Sequence, residues 1–328
     1  MNYVLNLNAL RGILALIVVY AHISYNQICG KYAVCTFFVL SGFLYGLKYT
    51  STHKKIGFKS IFKSAYKMYP AYFLTLVLFA GLAIGILHKS FFVVMKSFFV
   101  HLFFAQTWVP LSWFEALNSP TWFLSAYFGL LLIFLVCCKS RLLGVCFFLL
   151  SIVLSVVFSD SYLWFFSSPY MRFYDFIIAY LLGLYVGHNS KSLLSVNKAF
   201  LLWLIMFLSV VLTVFCRIVY WDVLPVSIKY SFVYLPSSLI VVYVFYKTEN
   251  VGLFLSKLLK NKAVQYIGSI SMHVYIYHWF FARIVFYLFH SIPVYITFPI
   301  VVALSIAMAE FMKKYVETRI FKLLQWSK

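Results

Sequence analysis

Apolar segments long enough to cross a lipid bilayer recur along almost the whole chain. Since the hydrocarbon core of a bilayer takes about 20 apolar residues of helix, the sequence predicts an all-α, polytopic membrane protein with about ten transmembrane helices. The predicted spans are 8–28, 32–48, 69–88, 122–138, 142–159, 171–188, 199–219, 228–246, 268–289 and 293–312. The apolar segment 90–107 contains Lys96 and His101 and is expected to be an interfacial or re-entrant helix.

The composition supports a membrane protein. Hydrophobic residues make up 64% of the chain and charged residues 10%, whereas soluble domains are about half apolar and about a quarter charged. The first apolar run is not expected to be a signal peptide, because it contains Arg11 and leads to no small-residue cleavage site. We expect residues 1–328 to form a single membrane domain without an appended soluble domain.

The positive charge is unevenly distributed along the chain. The formal net charge is +20, and the basic residues are concentrated in alternate connections between the predicted spans. This positive-inside pattern predicts that both termini are cytoplasmic, and it argues against a nucleic-acid partner. The six cysteines show no CxxC or Cys/His spacing, so the sequence predicts neither a disulfide framework nor a metal site.

Arg11 and His22 are two ionisable residues within the first predicted helix. Their separation corresponds to about three helical turns, so both side chains point the same way, about 16 Å apart along the axis. Ionisable groups inside a membrane span are costly and indicate a functional site. The alternative is that Arg11 anchors the interface while His22 makes a hydrogen bond within the bundle.

Seven motifs, in order along the chain, resemble the acyltransferase-3 family of membrane O-acyltransferases. Arg11 and His22 match the family's first-helix spacing of Arg, ten residues, then His. The other six stretches are VCTFFVLSGFLYG (34–46), YKMYPAYF (66–73), PTWFLSAYF (120–128), MRFYDFIIAYLLG (171–183), IGSISMHVYIYHWFF (267–281) and KKYVETRIFK (313–322). The chain departs from the family at two points: Ser64 and Lys67 stand where an Arg-x-x-Arg pair is common, and Tyr127 where many members have glutamate.

The resemblance implies an O-acetyltransferase of the bacterial cytoplasmic (inner) membrane. The donor would be acetyl-CoA, with no metal cofactor. The acceptor would be a hydroxyl of a cell-surface carbohydrate such as O-antigen, capsule or a lipid-linked glycan precursor. Membrane lipids are the other expected partners, and a homo-oligomer is possible. The competing hypothesis, a glycolipid transporter or flippase, lacks the internal repeats that are usual in transporters.

The resemblance also assigns catalytic and donor-binding roles. His22 is the predicted general base, since imidazole titrates near neutrality; direct transfer is preferred, and an acetyl-imidazole intermediate is the alternative. Arg11 is predicted to act with His22 and, together with Lys63 and Lys67, to bind coenzyme A. These lysines belong to a stripe that recurs every four residues from Lys55, for which contact with anionic lipid is the alternative.

Four residues are predicted to bind the acceptor: Trp122, Arg172, Asp175 and His278. Each has a structural alternative. Arg172 and Asp175 are three residues apart and could simply neutralise one another. His278 could make a hydrogen bond within the bundle, and Trp122 could belong to the aromatic belt of the membrane.

Overall fold

The computed structural model describes residues 4–53, 57–109, 111–157, 172–189, 194–219, 231–251, 254–289 and 292–323. Within these ranges all regular secondary structure is helical, which confirms the predicted fold class. Lys55 and Met171 lie outside the described residues, as do ends of the predicted spans 142–159, 171–188 and 228–246.

Thirteen α-helices are described, numbered here in chain order. They are α1 (Leu5–Ile23), α2 (Gln27–Thr52), α3 (Phe58–Gly85), α4 (Phe91–Leu102), α5 (Trp122–Cys137), α6 (Arg141–Val157), α7 (Phe173–His188), α8 (Val196–Val219), α9 (Ser231–Lys247), α10 (Phe254–Leu259), α11 (Lys262–Phe289), α12 (Val294–Phe311) and α13 (Thr318–Leu323). A π-helical segment, Met312–Glu317, joins the last two.

The protein is a polytopic α-helical membrane protein. In the part of the chain that the structure describes, six helical stretches are long and apolar enough to cross a bilayer: Leu5–Ile23, Ile28–Thr52, Tyr66–Gly85, Ser119–Cys137, Val196–Val219 and Val294–Ile320. Four shorter apolar helices are Phe91–Leu102, Leu142–Leu154, Phe173–His188 and Val233–Lys247. The count of ten spans and the cytoplasmic location of both termini stay predictions.

The first predicted span, 8–28, is wrong at its C-terminal end. Helix α1 ends at Ile23, Tyr25 has a left-handed backbone (φ 55°), and α2 begins at Gln27. The side chain of Asn26 caps α2 by accepting a hydrogen bond from the Cys29 amide at 3.2 Å. The polar cap, which hydropathy does not register, therefore ends the span early. As a result, His22 lies in the last turn of α1.

Helices α2 and α7 touch through glycines. A Cβ atom on Gly42 would lie 2.2 Å from the Phe176 carbonyl oxygen, and one on Gly183 would lie 2.3 Å from the Phe43 carbonyl oxygen. Only glycine allows the two backbones to approach this closely, as is common where helices pack within membranes. This contact fixes the start of α7, with Arg172 just before it, beside α2.

Helices α1 and α11 run parallel and are also in close contact. A Cβ atom on Gly268 would lie 2.2 Å from the Asn8 carbonyl oxygen. The Asn8 side chain donates a hydrogen bond to the Gln265 carbonyl oxygen at 2.8 Å. One end of this helix pair thus contains Arg11 and Gly268, and the other contains His22 and His278. We call these the Arg11 end and the His22 end.

The connection between α4 and α5 is held against the bundle by hydrogen bonds. The Tyr72 hydroxyl donates to the His101 carbonyl oxygen at 2.7 Å, and the Gln106 amide donates to the Tyr72 hydroxyl at 2.8 Å. The hydroxyls of Thr107 and Ser125 are 2.7 Å apart. These bonds position the start of α5. Helix α4 lies within the predicted segment 90–107, whose interfacial or re-entrant placement stays a prediction.

Candidate active site

A cavity of about 320 Å³ lies at the His22 end. We call it the His22 cavity, and its wall is made by residues from α1, α2, α11 and the segments that precede α5 and α7. The lining side chains that carry charge, imidazole or aromatic rings include His22, Lys31, Trp122, Arg172, Tyr275 and Trp279. Its wall thus combines cations, an imidazole and aromatic faces.

A second cavity, of about 400 Å³, lies toward the Arg11 end, and we call it the Arg11 cavity. Its polar lining includes Asn8, Arg11, Ser41, Tyr127 and Ser271. Tyr275 lines both cavities, and its buried hydroxyl donates a hydrogen bond to the Pro120 carbonyl oxygen. The side chain of Tyr275 therefore lies between the two cavities.

The His22 ring has a defined orientation. Its Nδ1 atom lies 2.9 Å from the Val18 carbonyl oxygen and 3.1 Å from Nε2 of His278. The Nδ1 atom of His278 lies 2.7 Å from the Tyr275 carbonyl oxygen. The Trp279 ring is 5.6 Å from the His22 ring, centroid to centroid. Both histidine rings are thus held by contacts from α1 and α11.

Arg172 and Asp175 form an ion pair, the contact that their three-residue spacing allows. The Arg172 Nη1 and Asp175 Oδ2 atoms are 3.1 Å apart, and the two residues are 4% and 0% exposed. The Cys35 thiol lies 3.9 Å from the same carboxylate oxygen. Arg172 lines the His22 cavity, whereas Asp175 is buried away from it and holds the guanidinium in place.

The structure brings together most of the residues predicted to act in catalysis and acceptor binding. His22, Trp122 and Arg172 line one cavity. Asp175 contacts Arg172, and His278 contacts His22, but neither Asp175 nor His278 lines that cavity. Arg11 lines the other cavity, on the same uninterrupted helix as His22. The roles assigned to these residues stay predictions.

The two lysines predicted to bind coenzyme A lie outside both cavities. Lys63 and Lys67 are exposed on α3 and do not line the Arg11 cavity. Met68, which follows Lys67 in the chain, does line it. Near the positions where the family commonly has an Arg-x-x-Arg pair, α3 therefore has two exposed lysines, and the same helix borders the Arg11 cavity through Met68.

Lys31, Tyr275 and Trp279 line the His22 cavity but were not predicted from the sequence. Lys31 is a cation in the first turns of a membrane-length helix, so the argument applied to Arg11 could have selected it. Tyr275 and Trp279 flank His278 in the quoted stretch IGSISMHVYIYHWFF. Their sequence signal is weak, because aromatic residues make up 22% of the chain.

These observations define a class: a polytopic α-helical membrane protein with a charged, imidazole-containing cavity inside its bundle. Within the described ranges, no group of three His, Cys, Asp or Glu side chains could hold a metal ion. A family model for an acyltransferase domain matches residues 4–309. The chain therefore belongs to the acyltransferase-3 family and is a membrane acyltransferase. No curated protein and no solved structure matches the chain.

Proposed function

We propose that the protein transfers an acetyl group from acetyl-CoA to a hydroxyl of a cell-surface carbohydrate. The observation that carries this proposal is the pairing of two cavities along one helix. Arg11 lines one cavity and His22 the other, and among the described residues only Tyr275 is shared by both linings. Such an arrangement suits a donor that enters from one end of the bundle and an acceptor that enters from the other.

The donor is proposed to bind at the Arg11 end. A guanidinium is suited to bind phosphate, and Arg11 supplies one at the cavity wall. His22 is eleven positions after Arg11 on α1, which corresponds to about 16 Å along the helix. This is comparable to the length of the thin phosphopantetheine arm, which would pass Tyr275 to bring the acetyl group toward His22. The positive-inside pattern supports a cytoplasmic location for this end.

The acceptor is proposed to bind in the His22 cavity. Trp122 and Trp279 offer aromatic faces for a sugar ring, and Arg172 offers hydrogen-bond donors to its oxygens. The proposed acceptors are O-antigen, capsule or a lipid-linked glycan precursor, at the bacterial cytoplasmic membrane. Membership of an acyltransferase family favours this reaction over the transport of a glycolipid.

His22 is proposed to act as the general base. Its ring takes the proton from the sugar hydroxyl while the hydroxyl oxygen attacks the thioester carbonyl carbon. The tetrahedral intermediate then collapses with cleavage of the carbon–sulfur bond. The imidazolium returns its proton to the departing thiolate, so that free coenzyme A and the acetyl ester are the products. Mass and charge balance without a metal or a further co-substrate.

The test compares membranes that contain wild type, His22→Ala or His188→Ala. His188 is exposed in the last turn of α7 and lines neither cavity, so it controls for the loss of an imidazole. Each membrane sample receives radiolabelled acetyl-CoA and host glycolipids. Label is then counted in the lipid-linked and polysaccharide fractions at equal protein content.

Acetyl transfer through His22 predicts label with wild type and His188→Ala and background label with His22→Ala. Equal label with His22→Ala and wild type would rule out His22 as the base. An absence of label from every sample, across several glycolipid acceptors, would count against acetyl transfer and favour transport.

A further inference from the structure

The buried imidazoles of His22 and His278 form a hydrogen-bonded pair, and their surroundings determine where its protons lie. We infer that His278 is a positioning residue that fixes the tautomer of His22 and presents Nε2 of His22 to the His22 cavity. This inference rests on the proposed function, in which His22 is the general base. It replaces acceptor binding as the role of His278.

Two backbone carbonyls determine the tautomers. A carbonyl oxygen can only accept a hydrogen bond, so Nδ1 of His22 donates to Val18 and Nδ1 of His278 donates to Tyr275. When neutral, His278 then has its lone pair on Nε2. That lone pair lies 3.1 Å from the protonated Nδ1 of His22. The Nδ1 proton of His22 is therefore shared between two acceptors, one from each helix.

This assignment leaves Nε2 of His22 as the basic nitrogen. Nε2 makes no hydrogen bond to any described residue, and His22 lines the cavity proposed for the acceptor. The two bonds to Nδ1 restrict rotation of the ring, because a flipped imidazole would lose both. The pair thus holds a lone pair in place before any substrate arrives, which is what general-base catalysis requires.

The pair also has one favourable position for an added proton. If His22 takes a proton on Nε2, its Nδ1–H bond to His278 is kept and is strengthened by the charge. If His278 took a proton on Nε2 instead, two N–H groups would face each other across 3.1 Å. The proton removed from the acceptor therefore resides on His22, from which it can be returned to the leaving thiolate.

The burial of His278 distinguishes this role from acceptor binding. His278 is 0% exposed and lines neither cavity. Its distance from His22 is set by the close packing of α1 on α11, where a Cβ atom on Gly12 would lie 2.9 Å from the Gly268 nitrogen. His278 thus reaches the reaction only through the ring of His22.

The experiment compares His278→Leu, which removes the acceptor, with His278→Gln, which places a carbonyl oxygen near the position of Nε2. The matched control is His101→Leu. Like His278, His101 is a buried histidine whose Nδ1 donates to a carbonyl oxygen of its own helix, that of Ser97 at 2.8 Å, but it lies on α4. The folded fraction of each variant is measured by size-exclusion chromatography before assay.

Two readouts are used. The first is kcat and KM for acetyl-CoA in the transfer assay described above. The second is the rate at which diethyl pyrocarbonate modifies His22, followed by mass spectrometry of the peptide. The second readout needs no acetyl transfer, so a failure of the proposed function and a failure of the His278 role are distinguishable.

We expect His278→Leu to lower kcat by about 10- to 100-fold, with little change in KM for acetyl-CoA. The loss of kcat is partial because the Val18 carbonyl still holds part of the orientation of the His22 ring. Modification of His22 should slow in the same variant. His278→Gln should restore much of both rates, and His101→Leu should resemble wild type. Wild-type rates in folded His278→Leu would overturn the inference, as would a His278→Gln variant as impaired as His278→Leu.

Discussion

Arg172 and Asp175 form a buried ion pair next to the cavity proposed for the acceptor. Both are buried, and a single 3.1 Å contact joins them. Because breaking a buried ion pair leaves an unpaired charge, Arg172→Met should lower the free energy of unfolding by about 3–5 kcal/mol. The measurement is the temperature at which half of the detergent-solubilised protein is lost from the monodisperse peak.

The double variant Arg172→Met/Asp175→Leu separates the two contributions. It removes both charges, so its stability should return close to that of wild type, since apolar replacements of buried pairs are often neutral or stabilising. Acetyl transfer by this folded variant should still show a raised KM for the acceptor. An unchanged KM would assign the pair to structure alone, and a fully stable single variant would contradict the predicted penalty.

The residue pattern allowed this ion pair, because three-residue spacing on a helix can bring two side chains together. The same reasoning could not predict the contact between His22 and His278, which are 256 positions apart. Helical spacing carries information over a few turns only. A contact between helices depends on how they pack, and that is decided elsewhere in the chain.

Helix packing in this protein depends on a few glycines. Gly42→Ala should destabilise the fold by about 1–3 kcal/mol or more, since its Cβ would overlap the backbone of α7 and force the helices apart. Gly81→Ala is the matched control: it also lies within a long helix, and a Cβ there would meet no atom within 4 Å. That control should be neutral or gain up to about 1 kcal/mol in helix propensity.

The thermal assay in detergent serves for both glycine variants, together with the yield of monodisperse protein. The reverse order of stability, with Gly81→Ala the less stable protein, would show that α2 and α7 do not approach as described.

The helices themselves were well predicted by hydropathy, because the bilayer sets their length. The ends of the helices were less well predicted. The first span ends early because Asn26 caps the next helix, and that local hydrogen bond does not register in hydropathy.

The two cavities lead to a prediction about ligand binding. Coenzyme A should raise the thermal stability of purified wild type, by about 2.7 kcal/mol at a concentration of 100 times Kd. Arg11→Ala should lose most of this effect, because it removes the cation of the Arg11 cavity. His22→Ala should keep it, because His22 lines the other cavity.

The comparison is made by thermal unfolding with and without coenzyme A, with adenosine as a ligand that lacks the phosphates and the pantetheine arm. A shift that survives Arg11→Ala but disappears in His22→Ala would reverse the proposed order of the cavities. No shift in any protein at millimolar coenzyme A would count against donor binding and in favour of a transport function.

The amino-acid sequence was enough to establish that this protein lies in a lipid bilayer, that it is helical and which family it belongs to. Long apolar segments require helices, since backbone polar groups in hydrocarbon must be satisfied within the segment. Arg11 and His22 could be related from sequence because a single rigid helix contains both. Three relations follow from helix packing and not from the sequence pattern: His278 contacts His22, Tyr275 lies between two cavities, and Asp175 lies behind Arg172. Those relations depend on close helix crossings at residues such as Gly42 and Gly268, where a contact joins parts of the chain that no local pattern connects.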